Sequence, residues 1–426
     1  MAQLSDDCFA FGGPLMTVAE AEALMRSRID PVPEMEVIPL SAAHGRVVAH
    51  DITSPISLPL FDNSAVDGYA VYHGALSQSG ETRCKIGGRL QAGSRAESPV
   101  SPGDVIRIFT GAPMPEGTDT VFMQEDCCAD GDTVILPAGL KSGANRRKQG
   151  EDVRQGSAIL SAGIRLSARH IGLAAAVGLT HIKVRRRIRV ALFSTGNELV
   201  EVGQPLRSAS IYDANRPLLA EMARALGAEV TDLGILRDDE VELASALNAA
   251  AAGHDVVLTS GGVSAGEADY VKSAVERVGT LVFWRIAIKP GRPVALAVLR
   301  GTSPGKGAAF AGLPGNPVAA FVTFAKVVRP LILRLAGALP EETIAFPVRA
   351  AFAYRKKDGR REFVRVSLHR GDDGVLEATK YRQDGAGVIT SLTETDGVLE
   401  LPEDLTELQA GMDAGFVSYG ALMGCV

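Results

Sequence analysis

The sequence predicts a multi-domain α/β protein. A central three-layer α/β/α domain with a mostly parallel sheet is flanked by a mixed helical/β N-terminal region and a small C-terminal β domain. Three observations predict this. The chain has 426 residues, more than one hydrophobic core usually holds. From Arg189 to Leu335 apolar strand-like runs alternate with helical patterns, the signature of βαβ units. Outside that stretch, short strand-like runs sit between Gly/Pro-rich turns.

The elements follow in chain order. Val18–Arg28 has helical spacing; Thr17 with Glu20 three residues later forms a capping-box pattern. Between Asp51 and Leu140, Ala70–Tyr72, Val105–Phe109, Thr120–Gln124 and Thr133–Leu136 predict a β lobe. Gly163–Thr180 returns to helix. Region 1–178 thus reads as a helical lobe (15–50 plus 145–178) interrupted by a β lobe (51–144). Domain 179–335 follows. Its strands are Val190–Phe193, Glu229–Leu233, Val256–Leu258, Val282–Ile286, Val294–Val298 and Ala308–Ala311. Its helices are Arg216–Leu226, Glu240–Ala252, Tyr270–Val278 and Pro317–Leu335. Domain 336–426 carries strand-like Phe346–Ala353, Arg361–Leu368 and Val375–Lys380.

Composition narrows the function. Forty-four basic and 50 acidic residues give a net charge of −6, so nothing electrostatic favours nucleic acid. The basic runs Arg146–Lys148 and Lys183–Arg189 are local, and a solvated surface is the plain reading of the second. Five cysteines without a CxxC motif argue against a disulfide framework or zinc site, and for a reducing compartment. Seven histidines form no HxxxH pattern. The longest near-apolar stretch, Ile171–Leu179, is too short for a bilayer, and Asp6 and Asp7 do not suit a secretory signal. The expected location is the cytoplasm.

The chemistry gathers where strands end. In open α/β sheets ligands bind beyond the carboxyl ends of strands. Asp255–Lys272 reads as strand, tight turn and helix start, with Gly261 and Gly262 followed by Glu267 and Asp269. Such glycines let backbone approach a ligand, and free N–H groups favour a phosphate. The adjacent carboxylates imply a divalent cation between them and that phosphate. The other strand ends carry Ser194–Glu198, Arg237–Asp239 and Gly312–Pro317, where Asn316 can cap a helix and Pro317 can open it. Asp238 and Asp239 also suit plain helix capping. Arg285 and Lys289, on alternating strand positions, would face one way and hold an oxyanion. Pro59–Val71, Thr110–Gly117 and Asn145–Asp152 look more specific than surface turns.

These strings resemble the MoeA-type molybdopterin molybdenumtransferase family, to which the E domain of gephyrin is related. The resemblance runs from about Leu15 to the end. It rests on FDNSAVDGYAV at Phe61–Val71, TGAPMPEG at Thr110–Gly117, GED at Gly150–Asp152 and FSTGNEL at Phe193–Leu199. SGGVSAGEADY at Ser260–Tyr270, AIKPGRP at Ala287–Pro293 and GLPGNPVA at Gly312–Ala319 follow in family order.

The resemblance implies that adenylylated molybdopterin and molybdate are converted to molybdenum cofactor and AMP with magnesium. It implies a homodimer in which Asp67, Thr110, Arg147 and Asp152 of one subunit complete the site of the other. It also raises contact with the molybdopterin adenylyltransferase. Asp238 and Asp269 are the implied magnesium ligands, and Glu198 positions the ligand. Gly261, Gly262 and Ser264 hold a phosphate. Lys289, Arg285 and Arg360 attract molybdate, in a pocket shaped by Pro314, Gly315 and Pro317. Two departures stand out: Arg285 where the family often has lysine, and Ala386 where it often has serine, for which Ser391 is a substitute. Competing functions are the adenylyl transfer to molybdopterin, since the SGG loop is shared, and a non-catalytic binding scaffold.

Overall fold

The computed structural model describes residues 15–94, 98–263, 270–301 and 307–424. Two compact units emerge: Met1–Ala49, Gly163–Ser167 and Ile182–Val426 form one, His50–Ala162 with Ala168–His181 the other.

In the first unit the strands are β1 (Arg189–Thr195), β2 (Glu229–Leu236), β3 (Val256–Ser260), β4 (Gly279–Arg285), β5 (Ile288–Lys289), β6 (Pro293–Arg300) and β7 (Gly307–Leu313). The central sheet has the order β2-β1-β3-β7-β6-β4. The pairings β2/β1, β1/β3 and β3/β7 are parallel; β7/β6 and β6/β4 are antiparallel. Helices α1 (Asn215–Ala225), α2 (Glu240–Gly253), α3 (Tyr270–Val278), α4 (Pro317–Thr323) and α5 (Arg329–Leu335) cover it, with a π-turn at Phe324–Val328 between α4 and α5.

The alternation of β1 builds three layers. Val190 and Leu192 point to one face, packing in the cluster with Leu219 and Met222 of α1 and with Phe321 and Leu331. Ala191 and Phe193 point to the other, packing with Leu243 and Leu247 of α2 and Val271 and Val275 of α3. Each of the buried Val, Leu, Met and Phe side chains contributes about 1.5–3 kcal/mol, so Leu192→Ala would cost roughly 2–5 kcal/mol. At the N-terminal end, the capping box forms as the sequence predicts: Glu20 N–H donates to Thr17 Oγ1 at 3.2 Å and Thr17 N–H to Glu20 Oε2 at 2.8 Å.

The C-terminal strands are β8 (Phe346–Ala350), β9 (Arg361–Arg370), β10 (Leu376–Lys380), β11 (Gly397–Leu401) and β12 (Asp413–Ser418). They run β9-β10-β8-β12-β11, and a further β9/β11 pairing closes the ring into a small barrel. Val348, Val366, Leu399 and Phe416 fill it. The sequence reading omits β11 and β12, whose apolar runs are short. β5 pairs in parallel with β9, Lys289 opposite Glu362. The second unit is a six-stranded sheet, Thr120–Met123, Gly68–Val71, Asp104–Ile108, Thr82–Leu90, Thr133–Leu136 and Cys128–Asp130 in that order.

Candidate functional site

Parallel register brings the loops to one edge of the central sheet. Ser194 of β1 pairs with Ser260 of β3, which pairs with Leu313 of β7, while Thr195 pairs with Leu236 of β2. The segments leaving those residues carry Glu198, Asp238, Gly261 and Gly262, and Pro314 and Gly315. They are tied to one another: Gly261 N–H donates to Leu313 O at 3.0 Å. Ser264 and Asp269 lie outside the described residues.

Asp238 and Asp239 divide their work. Asp239 caps α2, accepting from Val241 and Glu242 N–H at 3.0 and 2.8 Å. Asp238 makes no cap; it reaches across to the β1 loop, accepting from the Thr195 hydroxyl and from Asn197 N–H at 3.2 Å. Each Asp238 oxygen keeps lone pairs beyond those donors. A partly exposed, oxygen-only carboxylate of this kind suits magnesium, which needs few protein ligands beside phosphate and water. Among the described residues no group of three or more His, Cys, Asp or Glu could hold a metal.

The glycines serve the protein's own packing. Gly261 and Gly262 have φ of +92° and +65°, a region where only glycine is at ease. A Cβ on Gly261 would lie 2.4 Å from Thr195 O, and one on Gly262 2.4 Å from Val271 Cγ2. The absence of a Cβ thus lets the turn seat closely against β1 and α3.

The same edge opens on a cavity of about 280 Å³. Pro314, Asn316 and Ala319 form one wall and Lys289, Pro290, Gly291 and Pro293 another; Tyr354, Glu362, Arg365, Lys380, Asp384 and Ala386 are among the other lining residues. Lys289 Nζ donates to Tyr354 Oη at 3.0 Å and Glu362 Oε2 at 3.1 Å. Burial pulls its ammonium down, but those two hydrogen bonds outweigh it and hold the pKa above the ordinary lysine value. Arg365 is 6 % exposed. Its guanidinium donates to the carbonyls of Gly385 and Gln383, both at 3.0 Å. Burial depresses its pKa, and no carboxylate lies within ion-pair distance among the described residues.

Several expected residues sit elsewhere. Arg285 is exposed at the end of β4 and does not line the cavity. Ile286 and Ala287 separate β4 from β5, so the alternation that would align Arg285 with Lys289 is broken. Arg360 is not in the lining either; its Nε donates to Glu362 Oε1 at 2.7 Å. Asn316 holds the N-cap position of α4 without a side-chain cap bond, and Pro317 occupies the first turn. Ala386 lines the cavity, but Ser391 is fully buried and donates to Val388 O, so it does not replace the missing hydroxyl.

Sequence reasoning missed two residues. Arg365 stands within an apolar run and reads as one snorkelling cation among several. Asn215, 8 % exposed, donates from Nδ2 to Ser260 Oγ and Gly315 O, both at 2.7 Å, locking two of the loops. The sequence reading starts this helix at Arg216, and nothing in the spacing singles out the residue before it.

The second unit gathers the N-terminal motifs. Arg146 and Arg147 pair with Ser64 and Asn63, and Arg146 ion-pairs with Asp62. Met114 N–H donates to Asp62 O at 2.8 Å, joining the Thr110–Gly117 segment. Thr110 donates to Asp67 Oδ1 from both N–H (2.8 Å) and hydroxyl (2.7 Å). Those bonds hold the Asp67 carboxyl below its usual range. Arg147 and Asp152 are exposed.

Comparison with known proteins finds matches over the stretches that carry both groups. The MoeA N-terminal region (domain I and II) matches residues 16–178. A probable molybdopterin binding domain matches 191–334, and the MoeA C-terminal region (domain IV) matches 347–417. A molybdopterin molybdenumtransferase of Haemophilus influenzae is 38% identical over 412 residues, 96% of this chain and 100% of that protein. One from Nostoc is 35% identical over 393 residues, 91% and 89% respectively. Among solved structures, a molybdopterin biosynthesis moeA protein from Pyrococcus horikoshii superposes with a TM-score of 0.80 at 27% identity, covering 95% of this chain and 100% of the other. The three matches run in order along nearly the whole sequence: the chain belongs to the MoeA family of molybdopterin molybdenumtransferases.

Proposed function

We propose that the molybdenum insertion of this family proceeds here from adenylylated molybdopterin and molybdate, releasing AMP with magnesium. The observation that carries the reading is Arg365: a buried guanidinium that lines the cavity and has no carboxylate within ion-pair distance among the described residues. Buried charges are normally paired, so this one awaits an anion. Molybdate is a dianion of suitable size. Lys289 and Arg365 bind it; Pro314 and Asn316 form the wall toward the loops where the molybdopterin part would lie.

At the sheet edge, the backbone near Gly261 and Gly262 with Ser264 holds phosphate, and Glu198 orients the ligand. Asp238, with Asp269, would hold the magnesium. When bound, that ion supplies charge neutralisation between phosphates and the departing AMP. The chain offers no need for a covalent nucleophile; positioning and fixed charges serve the reaction. Asp67, Thr110, Arg147 and Asp152 complete the site in a homodimer, and Arg285 and Arg360 add to the field that draws the oxyanion in. We place domain limits after residues 178 and 335. No helix among the described residues is long and apolar enough to cross a membrane, which agrees with work in the cytoplasm beside an adenylyltransferase.

The test supplies purified adenylylated molybdopterin, magnesium and molybdate. AMP release that requires molybdate is the expected result. AMP release indifferent to molybdate, or consumption of ATP with bare molybdopterin, overturns the reading. Asp269→Asn should weaken magnesium-dependent turnover and leave the fold intact; full activity would remove Asp269 from the metal set.

A further inference from the structure

Lys289 has three N–H donors, and the protein engages two of them. One meets Glu362 Oε2 at 3.1 Å, another Tyr354 Oη at 3.0 Å. Tyr354 in turn donates its only hydroxyl proton to Glu362 Oε2 at 2.8 Å. The three groups close a triangle. Arg360 fixes the other oxygen of Glu362 at 2.7 Å. Glu362 is 1 % exposed, and strand register sets it beside Lys289. A carboxylate buried that deeply is costly unless it is paired and hydrogen-bonded, and here three donors, two of them cationic, meet it. Tyr354 has no proton left for a ligand, so its hydroxyl can only steer.

We propose that Glu362 and Tyr354 are positioning residues that hold Lys289 so that its one remaining N–H is presented to the oxyanion in the cavity. The inference rests on the oxyanion reading of that cavity. It differs from a purely electrostatic account in sign. A carboxylate touching Lys289 cancels part of the charge that attracts a dianion. If charge alone mattered, Glu362→Gln would improve molybdate capture. If direction matters, losing the clamp lets the ammonium wander and capture worsens. The other charged groups near the triangle are Arg365, Lys380 with its partner Asp384, and Lys356, whose ammonium donates to the carbonyls of Lys357 and Glu403. None of them hydrogen-bonds Lys289.

The experiment uses the full-length enzyme with its molybdopterin substrate, varying inorganic molybdate. Lys289→Ala, Glu362→Gln and Tyr354→Phe are compared with wild type for KM, kcat and thermal unfolding. Expected for both clamp variants is a molybdate KM raised roughly 3- to 10-fold, the range of a lost hydrogen bond or two, with kcat at saturating molybdate nearly unchanged. In Glu362→Gln the KM should also begin to climb at lower pH than in wild type, because Lys289 loses the partner that keeps it protonated; a merely structural role would not move that profile. A lowered or unaltered KM in Glu362→Gln or Tyr354→Phe, with Lys289→Ala still impaired, overturns the clamp and leaves the oxyanion reading standing. An unaltered KM in Lys289→Ala removes the reading and the clamp together. Should Glu362→Gln not fold, Tyr354→Phe, which keeps the ring, decides alone.

Discussion

Arg365→Met separates binding from stability. The guanidinium gives two charge-assisted hydrogen bonds, to Gly385 and Gln383 at 3.0 Å each. Each such bond is worth about 1.5–3 kcal/mol, so their loss alone would be severe. Against it stands the burial of a cation with no carboxylate within ion-pair distance among the described residues, a penalty of several kcal/mol that methionine removes. Methionine also fills most of the stem's volume. The two terms oppose each other, and the expected change in unfolding free energy is within about 2 kcal/mol. Molybdate binding has no such offset: one charged hydrogen bond of about 1.5–3 kcal/mol corresponds to a KM raised roughly 10- to 150-fold. Chemical denaturation gives the first quantity and molybdate-dependent turnover the second. A variant whose molybdate KM moves less than threefold would refute the idea that this guanidinium awaits an anion. A variant that unfolds would refute the offset.

Other outcomes follow from single contacts. Gly261→Ala, at φ +92° with Thr195 O only 2.4 Å from the new Cβ, should lose about 1–3 kcal/mol in urea unfolding; an unchanged midpoint would deny the loop its tight seat. Asn215→Ala leaves Gly315 O without its donor and should cost about 1–3 kcal/mol, together with lower turnover; normal turnover would show that the loops hold without it. Arg349 holds the Asp373 carboxyl at about 2. That depressed value contributes stability above the unfolded pKa, lost as pH falls through the folded one. Arg349→Gln should therefore shift the carboxyl titration upward toward the ordinary range, and an unmoved titration by NMR counts against the pair. Burial pushes the Cys127 thiol up to about 11, so at pH 8 an alkylating reagent should modify exposed Cys128 first; equal labelling by peptide mapping contradicts it.

Much of the fold was legible because periodicity reports burial directly. Tyr270–Val278 and Thr133–Leu136 appear as their spacing predicts, each with one face against a core. Strand ends were legible too, since small polar residues cannot continue an apolar run. What the sequence could not show was which of several similar groups turns inward. Asp238 and Asp239 are adjacent acids before a helix, and only the fold assigns one to the cap and the other to the Thr195 loop. Arg360 and Arg365 are equally basic. Arg360 ends on Glu362 while Arg365 enters the cavity: Arg360 lies just before β9 and Arg365 within it, a difference that their shared charge does not show.

The cavity's charge pattern suits transfer better than storage. Three cations and two carboxylates line it. Lys380 is paired with Asp384 and Lys289 with Glu362, so Arg365 is the surplus. On the oxyanion reading proposed above, a dianion entering this cavity would meet one guanidinium with no carboxylate within ion-pair distance among the described residues and two ammonium groups that are each already paired. A site built for retention would leave all three cations unpaired and would bind far more tightly, since interactions are strong in a dry pocket. Holding substrate moderately while fixing its orientation raises turnover, whereas binding it uniformly harder does not. On that same reading, carboxylates placed behind the cations, which at first sight weaken the site, would limit how tightly the oxyanion is held.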